Sequence, residues 1–296
     1  MENIRGAAFM VFAMLSFAVE DGLIKLLATR LPAGQVIAII CLGGFLAFIG
    51  WSLLRGQAVW SPAYLNGRVM LRSLSEVVGT CLIASALALI PLTTVSAVIQ
   101  ATPLVVAMGA AVFLGQEVGW RRWLAILIGF VGVLIIVRPG MEGFVPATLL
   151  AVGGMLGLAA RDLLTRSLKV QLSGVQLGIH AFALVTPAGF LIVFAQGQQM
   201  LMPQGTEWAL LALSIIVGMI AYLAIIAATR AGNAGIISSF RYSRMVFALV
   251  IGYAFFTEIP DAATLIGATI VIVSGVYTLW REARLARASQ QPKPAL

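Results

Sequence analysis

The stretches AVEDGLIKLLATRLPAGQ (residues 18–35) and AARDLLTRSLKVQLSGVQ (residues 159–176) superpose without a gap when the chain is slid along itself by 141 positions. Ala18, Asp21, Leu23, Leu27, Leu31 and Gln35 then fall on Ala159, Asp162, Leu164, Leu168, Leu172 and Gln176, and Lys25 falls on Arg166. The same slide carries Glu117 onto Glu258. Scattered leucines coincide by chance in an apolar chain, but acids, a base and a glutamine held in one register mark an internal repeat.

Around these stretches the chain is apolar throughout. Of its 296 residues 61% are hydrophobic and 10% charged, whereas a soluble domain carries about 25% charged residues. Apolar runs recur at the length of about 20 residues that a helix needs to cross the hydrocarbon layer. Runs broken by Pro, Gly and charge predict helices near 6–29, 33–54, 68–90, 92–115 and 120–138, then near 145–168, 173–195, 207–229, 233–257 and 261–281. The first run follows Arg5, is too long for a signal-peptide core and reads as a retained helix. The expected fold is an all-α membrane protein of ten transmembrane helices. Five helices per copy is an odd number, so copy two enters the membrane from the opposite side, giving two inverted repeats around a central cavity. The expected organisation is a first repeat at 1–140, a second at 141–281, and a disordered cytoplasmic tail at 282–296.

Charge placement agrees with that threading. With the N-terminus inside, Arg5, Arg55, Arg68, Arg121, Arg122, Arg166, Lys169, Arg230, Arg281, Arg284, Arg287 and Lys293 collect on one side, against Arg30 and Arg138 on the other. Such an excess belongs to the cytoplasmic face, so both termini are expected there, in a bacterial-type inner membrane. Trp51, Trp60, Trp120, Trp123, Trp208 and Trp280 fall near predicted helix ends, as interface anchors do. The formal charge of +8 is spread over helix ends and tail, which argues against nucleic acid as partner. Cys41 and Cys81 lie inside apolar runs, and no Cys/His pair has metal-ligand spacing, so neither disulfide, metal nor cofactor is expected.

Two longer stretches, ALALIPLTTVSAVIQATPLVVAMGAAVFLGQEVGWRRWLAILIGFVGVLIIVRPG (86–140) and SSFRYSRMVFALVIGYAFFTEIPDAATLIGATIVIVSGV (238–276), make the chain similar to the EamA branch of the drug/metabolite transporter superfamily over essentially its whole length. The family's Gly-Glu signature is altered here: Gln116 separates Gly115 from Glu117, and Phe256 and Thr257 precede Glu258 without a glycine. The resemblance implies ten helices, a cavity lined mainly by helices 1, 3, 4, 6, 8 and 9, and alternating access. Members move amino acids, nucleosides, sugars, riboflavin and S-adenosylmethionine, so it leaves the cargo open.

Ionisable groups inside apolar helices cost at least about 2.5 to 3.5 kcal/mol each at the helix centre and so need a wet cavity or a partner. Helix 1 carries Glu20, Asp21 and Lys25; helix 3 carries Arg72 and Glu76; helix 6 carries Arg161 and Asp162; helix 9 carries Arg241 and Arg244. Asp21 with Lys25, and Arg72 with Glu76, stand at i and i+4, where each pair shares a face and is able to neutralise itself. Structural pairing and a cargo or coupling role are evenly matched readings for both. Arg241 and Arg244, at i and i+3, have no acid within reach on their own helix. Their partners are acids of other helices or a cargo carboxylate or phosphate, to which a guanidinium can give two parallel bonds. Their copy-one equivalents are Gln100 and Pro103, so the cavity is expected to be asymmetric. Tyr222 and Tyr242 are candidates to stack on a planar cargo, with plain packing the commoner role of a buried aromatic. His180, the one histidine, lies in helix 7; imidazole chemistry allows a proton-shuttle role, but the resemblance implies that this helix is peripheral. Pro103 and Pro187 lie inside helices 4 and 7, where kinks are expected. Glu117 and Glu258 close helices 4 and 9 as gates or as interfacial acids.

Function classes can be excluded from what is missing. The chain has no His-Glu-x-x-His, no Gly-x-Ser-x-Gly and no phosphate loop, which removes the common intramembrane hydrolases and ATP-driven pumps. The expected function is secondary active transport of an amino-acid-like, flavin or nucleoside-like metabolite, with protons or a counter-substrate as candidate couplers and a monomer or homodimer as the working unit. The alternative is a passive channel, or an exchanger for S-adenosylmethionine-type cationic metabolites.

Overall fold

The computed structural model describes residues 2–116, 118–230 and 234–289, and among these every regular element is a helix. Copy one contributes α1 (Glu2–Leu27), α2 (Ala33–Leu54), α3 (Gly67–Leu89), α4 (Leu92–Ile99), α5 (Thr102–Leu114) and α6 (Trp120–Val137). Copy two contributes α7 (Thr148–Ser167), α8 (Gly174–Ala195), α9 (Gly205–Arg230), α10 (Ala234–Ser239), α11 (Ser243–Phe256) and α12 (Ala262–Ser289). Local chemistry sets the ends. Pro32 and Pro91 directly precede α2 and α4, where a proline's fixed φ suits the entry and its missing N–H costs nothing. Ser173 and Gln176 form a reciprocal capping box at α8. Gly115 ends α5 in the left-handed conformation, φ 64°, which a glycine adopts without strain.

Four helix seams hold the bundle: α3 on α7, α1 on α9, α2 on α8 and α6 on α12. Exchanging the two copies maps α1 onto α7 and α3 onto α9, so the first two seams interchange while the last two map onto themselves. That is the packing of a pseudo-two-fold. The equivalent helices also run in opposite directions. Along α2 and α8, Gly34 meets Gly189 and Val193 while Gly44 meets Phe182; along α6 and α12, Gly129 meets Ser274 while Gly132 meets Gly267. Rising numbers on one helix pair with falling numbers on the other, which is the inverted arrangement expected from the odd helix count. Small residues let these backbones approach, as lipid-embedded seams without a hydrophobic drive require. The paired glutamines of the repeat act alike: Gln35 donates to the Leu201 carbonyl at 2.6 Å and Gln176 to the Ala58 carbonyl at 2.9 Å, each pinning a loop of the other copy.

Apolar length alone does not reach the expected count of ten. Nine spans among the described residues are long and apolar enough to cross a membrane, one of them the α4–α5 pair at Leu92–Leu114. The stretch expected as helix 9 is broken into α10, a 3-10 turn at Phe240–Tyr242, and α11. The α4–α5 interruption at Gln100 and Ala101 stands at the repeat-equivalent place, and the Gln100 amide donates to the Tyr242 carbonyl at 2.8 Å. Each break frees backbone groups, and here the side chain at one break answers a carbonyl at the other. Pro103 begins α5 instead of kinking a continuous helix, whereas Pro187 stays inside α8. The predicted end at 281 is also too early: α12 continues to Ser289 because Arg, Glu, Ala and Leu after Trp280 are strong helix formers. The rest of the expected tail, 290–296, lies outside the described residues.

Candidate substrate site

The ends of the bundle differ. At the end where α1 finishes, Lys25 donates to the Leu87 and Ile90 carbonyls at 3.2 and 2.7 Å, where α3 terminates. Its ammonium also lies 3.4 Å from Glu258, which accepts from the Leu92 amide at 2.9 Å and the Thr93 amide at 3.2 Å, the first donors of α4. A cation on a helix C-terminus and an anion on the next helix N-terminus each match the local dipole. Together they clamp the tight α3–α4 connection to α1 and to the loop after α11. The expected self-pairing of Lys25 with Asp21 is therefore not what forms, because the free carbonyls of α3 and Glu258 draw the ammonium away. Beyond the clamp lies a cavity of about 240 Å³ lined in part by Thr93, Thr94, Arg138, Thr148, Glu258 and Asp261. There Arg138 bonds Asp261 and pushes its carboxyl down to about 2, so this tie between α6 and α12 holds at any ordinary pH.

The middle of the bundle holds an ionic chain. Arg72 meets Glu76 at 2.5 Å, as the i, i+4 spacing predicted; Glu76 meets Arg161 at 3.1 Å; Arg161 meets Asp162 at 2.8 Å; and Asp162 faces Arg241 at 3.7 Å. Arg72 also donates to the Leu177 carbonyl and to Thr165, both at 3.3 Å. Separately, Arg244 gives two bonds to Asp21, at 2.5 and 3.1 Å, with its guanidinium 5.4 Å from the Phe17 ring. The two arginines of the predicted helix 9 thus do not act as one face. Arg241 lies within the 3-10 turn and Arg244 in the first turn of α11, so Arg241 reaches Asp162 and Arg244 reaches Asp21, and those two acids are repeat equivalents. Exposure ranks the arginines: 5% for Arg72, 15% for Arg244, 21% for Arg161 and 31% for Arg241. Of these four, Arg241 alone is both accessible and loosely held.

Asp162 and Arg241 line a cavity of about 20 Å³ together with Pro103, Arg166 and Ser238. Sequence reasoning left Arg166, Pro103 and Ser238 out of the site. Register gave a signal for two of them, since Arg166 is the equivalent of Lys25 and Pro103 of Arg244. The aromatic candidates lie elsewhere. Tyr222 donates to the Gly174 carbonyl at 3.0 Å and packs with Phe48 and Phe182. Tyr242 is 5% exposed, its ring pressed on Gly275. Neither ring faces open space here. His180 bonds Ser73 at 2.8 Å and stacks on Tyr64. Glu117, the equivalent of Glu258, lies outside the described residues.

The sequence model of the EamA-like transporter family matches this chain twice, over residues 4–138 and 145–280. Among curated proteins, a riboflavin transporter of Vibrio cholerae is 28% identical over 296 residues, covering 96% of each chain. An S-adenosylmethionine uptake transporter of Rickettsia felis is 26% identical over 285 residues, covering 94% of each. A solved structure described only as the crystal structure of a protein superposes with a TM-score of 0.63 at 19% identity, over 98% of this chain and 99% of that one, which speaks to the fold. With nine apolar spans among the described residues, an inverted repeat and a family match in both halves, the chain belongs to the EamA-like transporter family of the drug/metabolite transporter superfamily, as a multi-pass membrane transporter of small molecules.

Proposed function

We propose that this protein is a secondary active transporter working by alternating access, and that Arg241 is its principal cargo contact. The observation carrying this reading is the state of Arg241: 31% exposed, at a helix break, with a single long ion pair of 3.7 Å. Four arginines, Arg72, Arg161, Arg241 and Arg244, share three paired acids, Asp21, Glu76 and Asp162, leaving one positive charge in excess. A cargo carboxylate or phosphate would complete that balance, whereas the carbonyl edge of a flavin ring would accept hydrogen bonds from the guanidinium and leave its charge uncancelled. The relatives named for riboflavin and S-adenosylmethionine make these two compounds the first to try. The cavity at Arg241, about 20 Å³, is far too small for either. Cargo entry therefore requires helices to move apart, which favours a carrier over a standing pore. On this reading the broken stretch 234–256 is the tenth crossing, the two breaks are where the halves hinge, and both termini are cytoplasmic.

Thermal-shift and equilibrium binding of purified protein with riboflavin, S-adenosylmethionine and a panel of amino acids test the cargo. A hydrogen bond to a charged group is worth about 1.5–3 kcal/mol, so Arg241→Gln is expected to weaken the bound compound by about tenfold or more. Unchanged affinity in Arg241→Gln would remove Arg241 from the site. Counterflow in proteoliposomes tests the carrier: exchange of labelled for unlabelled cargo should outrun net flux, and equal rates would point to a channel.

A further inference from the structure

Glu20 differs from every other acid described within the spans. Asp21, Glu76 and Asp162 each meet an arginine within 4 Å, and Glu207 at the start of α9 is tied to Arg30. Glu20 has neither an ion pair nor a hydrogen bond to any described residue. Its carboxylate lies against Gly218 on α9, so closely that a methyl group there would overlap it.

Helix periodicity places Glu20 inside the bundle. Ala13, Ser16, Ile24 and Leu27, at 7 and 4 residues to either side, are 0%, 7%, 6% and 2% exposed, while Phe12, Leu15 and Leu26 form the outward stripe at 50%, 38% and 45%. Its partial exposure therefore opens into the seam between α1 and α9 and not into lipid. The repeat sharpens the contrast. The equivalent of Glu20 is Arg161, which is answered across the α3–α7 seam by Glu76; the equivalents of Arg72 and Glu76 on α9 are Leu213 and Val217. One seam carries a closed ionic network and the other a lone carboxyl against glycine and apolar side chains.

The charged and titratable groups around it are few. Asp21 follows it on α1, Arg244 on α11 is committed to Asp21, and the Cys41 thiol approaches from α2. Arg72 and Glu76 on α3 pair with each other, and Tyr222 on α9 spends its hydroxyl on Gly174. Neither α4 nor the described side chains of α10 bring a charge, and Arg241, in the 3-10 turn that packs on α1, faces Asp162. A carboxylate with no paired counter-charge in an apolar seam is costly, and the cheapest remedy is to take up a proton.

We propose that Glu20 is a proton-binding site, protonated while the α1–α9 seam is closed and ionised when water reaches it. Protonation leaves the buried cluster with the excess positive charge counted above, and ionisation cancels it. Proton and anionic cargo group should then bind together and cross together. This second step rests on the cargo reading given under Proposed function; the proton site itself does not.

Infrared difference spectra of the full-length protein in lipid nanodiscs, recorded without cargo across a pH titration, test the site. The wild type should show a protonated-carboxyl stretch that is lost only well above the ordinary carboxylate range of about 4. The band should vanish in Glu20→Gln, which keeps shape and removes ionisation, and return shifted in Glu20→Asp. No such band in the wild type, or an unchanged band in Glu20→Gln, overturns the proposal. Flux in proteoliposomes tests coupling: an imposed pH gradient should alter wild-type transport of S-adenosylmethionine, which carries a carboxylate, several-fold and leave Glu20→Gln transport unmoved. An equal response in both overturns the coupling. Failure of both riboflavin and S-adenosylmethionine to move would sink the cargo reading while the spectra still decide Glu20.

Discussion

Arg241 and Arg244 illustrate how much a side chain's role depends on backbone it does not itself supply. Both sit in the same apolar stretch, yet the turn at Phe240–Tyr242 hands one to each copy's first helix. Lys25 makes the same point, since spacing offers it Asp21 and the structure gives it Glu258 and two carbonyls. A lysine that caps a helix C-terminus in a partly buried place contributes up to about 2 kcal/mol. Lys25→Met should therefore loosen this end of the bundle without unfolding it. A cysteine introduced by Thr94→Cys, in the cavity beyond the clamp, is expected to react several-fold faster with a thiol reagent when Lys25→Met is added. If the reaction rate does not change, Lys25 holds nothing closed. Glu258→Gln should act in the same direction, and the double variant should cost less than the sum of the two, because the Lys25–Glu258 contact is lost in both.

Elements carry the seams, and there glycine does what a leucine would prevent. A side-chain carbon added at Gly132 would stand 2.8 Å from the Gly267 carbonyl oxygen and about 3 Å from Val271 and Ile270. Backbone cannot step aside as a flexible side chain can, so Gly132→Val is expected to cost roughly 1–3 kcal/mol by overpacking. Unfolding in mixed detergent micelles would register it, and a variant as stable as the parent would mean that α6 and α12 are not held together at this crossing. The helices themselves were legible in the sequence, because a crossing demands about 20 apolar residues and little else. Their antiparallel sense followed from the odd number in a repeat. The breaks were not legible. Gln100 and Tyr242 satisfy each other across 142 positions, and no local pattern announces a carbonyl freed in one helix and answered from another. The ionic site was half legible: Arg72 with Glu76 followed from helical spacing, whereas the choice among Asp21, Asp162 and cargo for two arginines needed the tertiary arrangement.

At the scale of the whole molecule, inversion has a consequence that can be measured without knowing the cargo. Gln35 and Gln176 begin equivalent helices but hold loops at opposite ends of the bundle, Leu201 and Ala58. In a membrane those two loops must face different compartments, and the proposed orientation, with the Lys and Arg excess inside, predicts Ala58 on the cytoplasmic side. Both native cysteines, Cys41 and Cys81, are buried, so a single introduced thiol would report with little background. An impermeant thiol reagent added to intact cells should label Met200→Cys and spare Ala58→Cys, and inverted vesicles should reverse the pattern. Labelling of both positions from one side would break the pseudo-two-fold. With it would go the argument that Glu20 and Arg161 occupy matched seams, since their comparison depends on each copy being the other turned over.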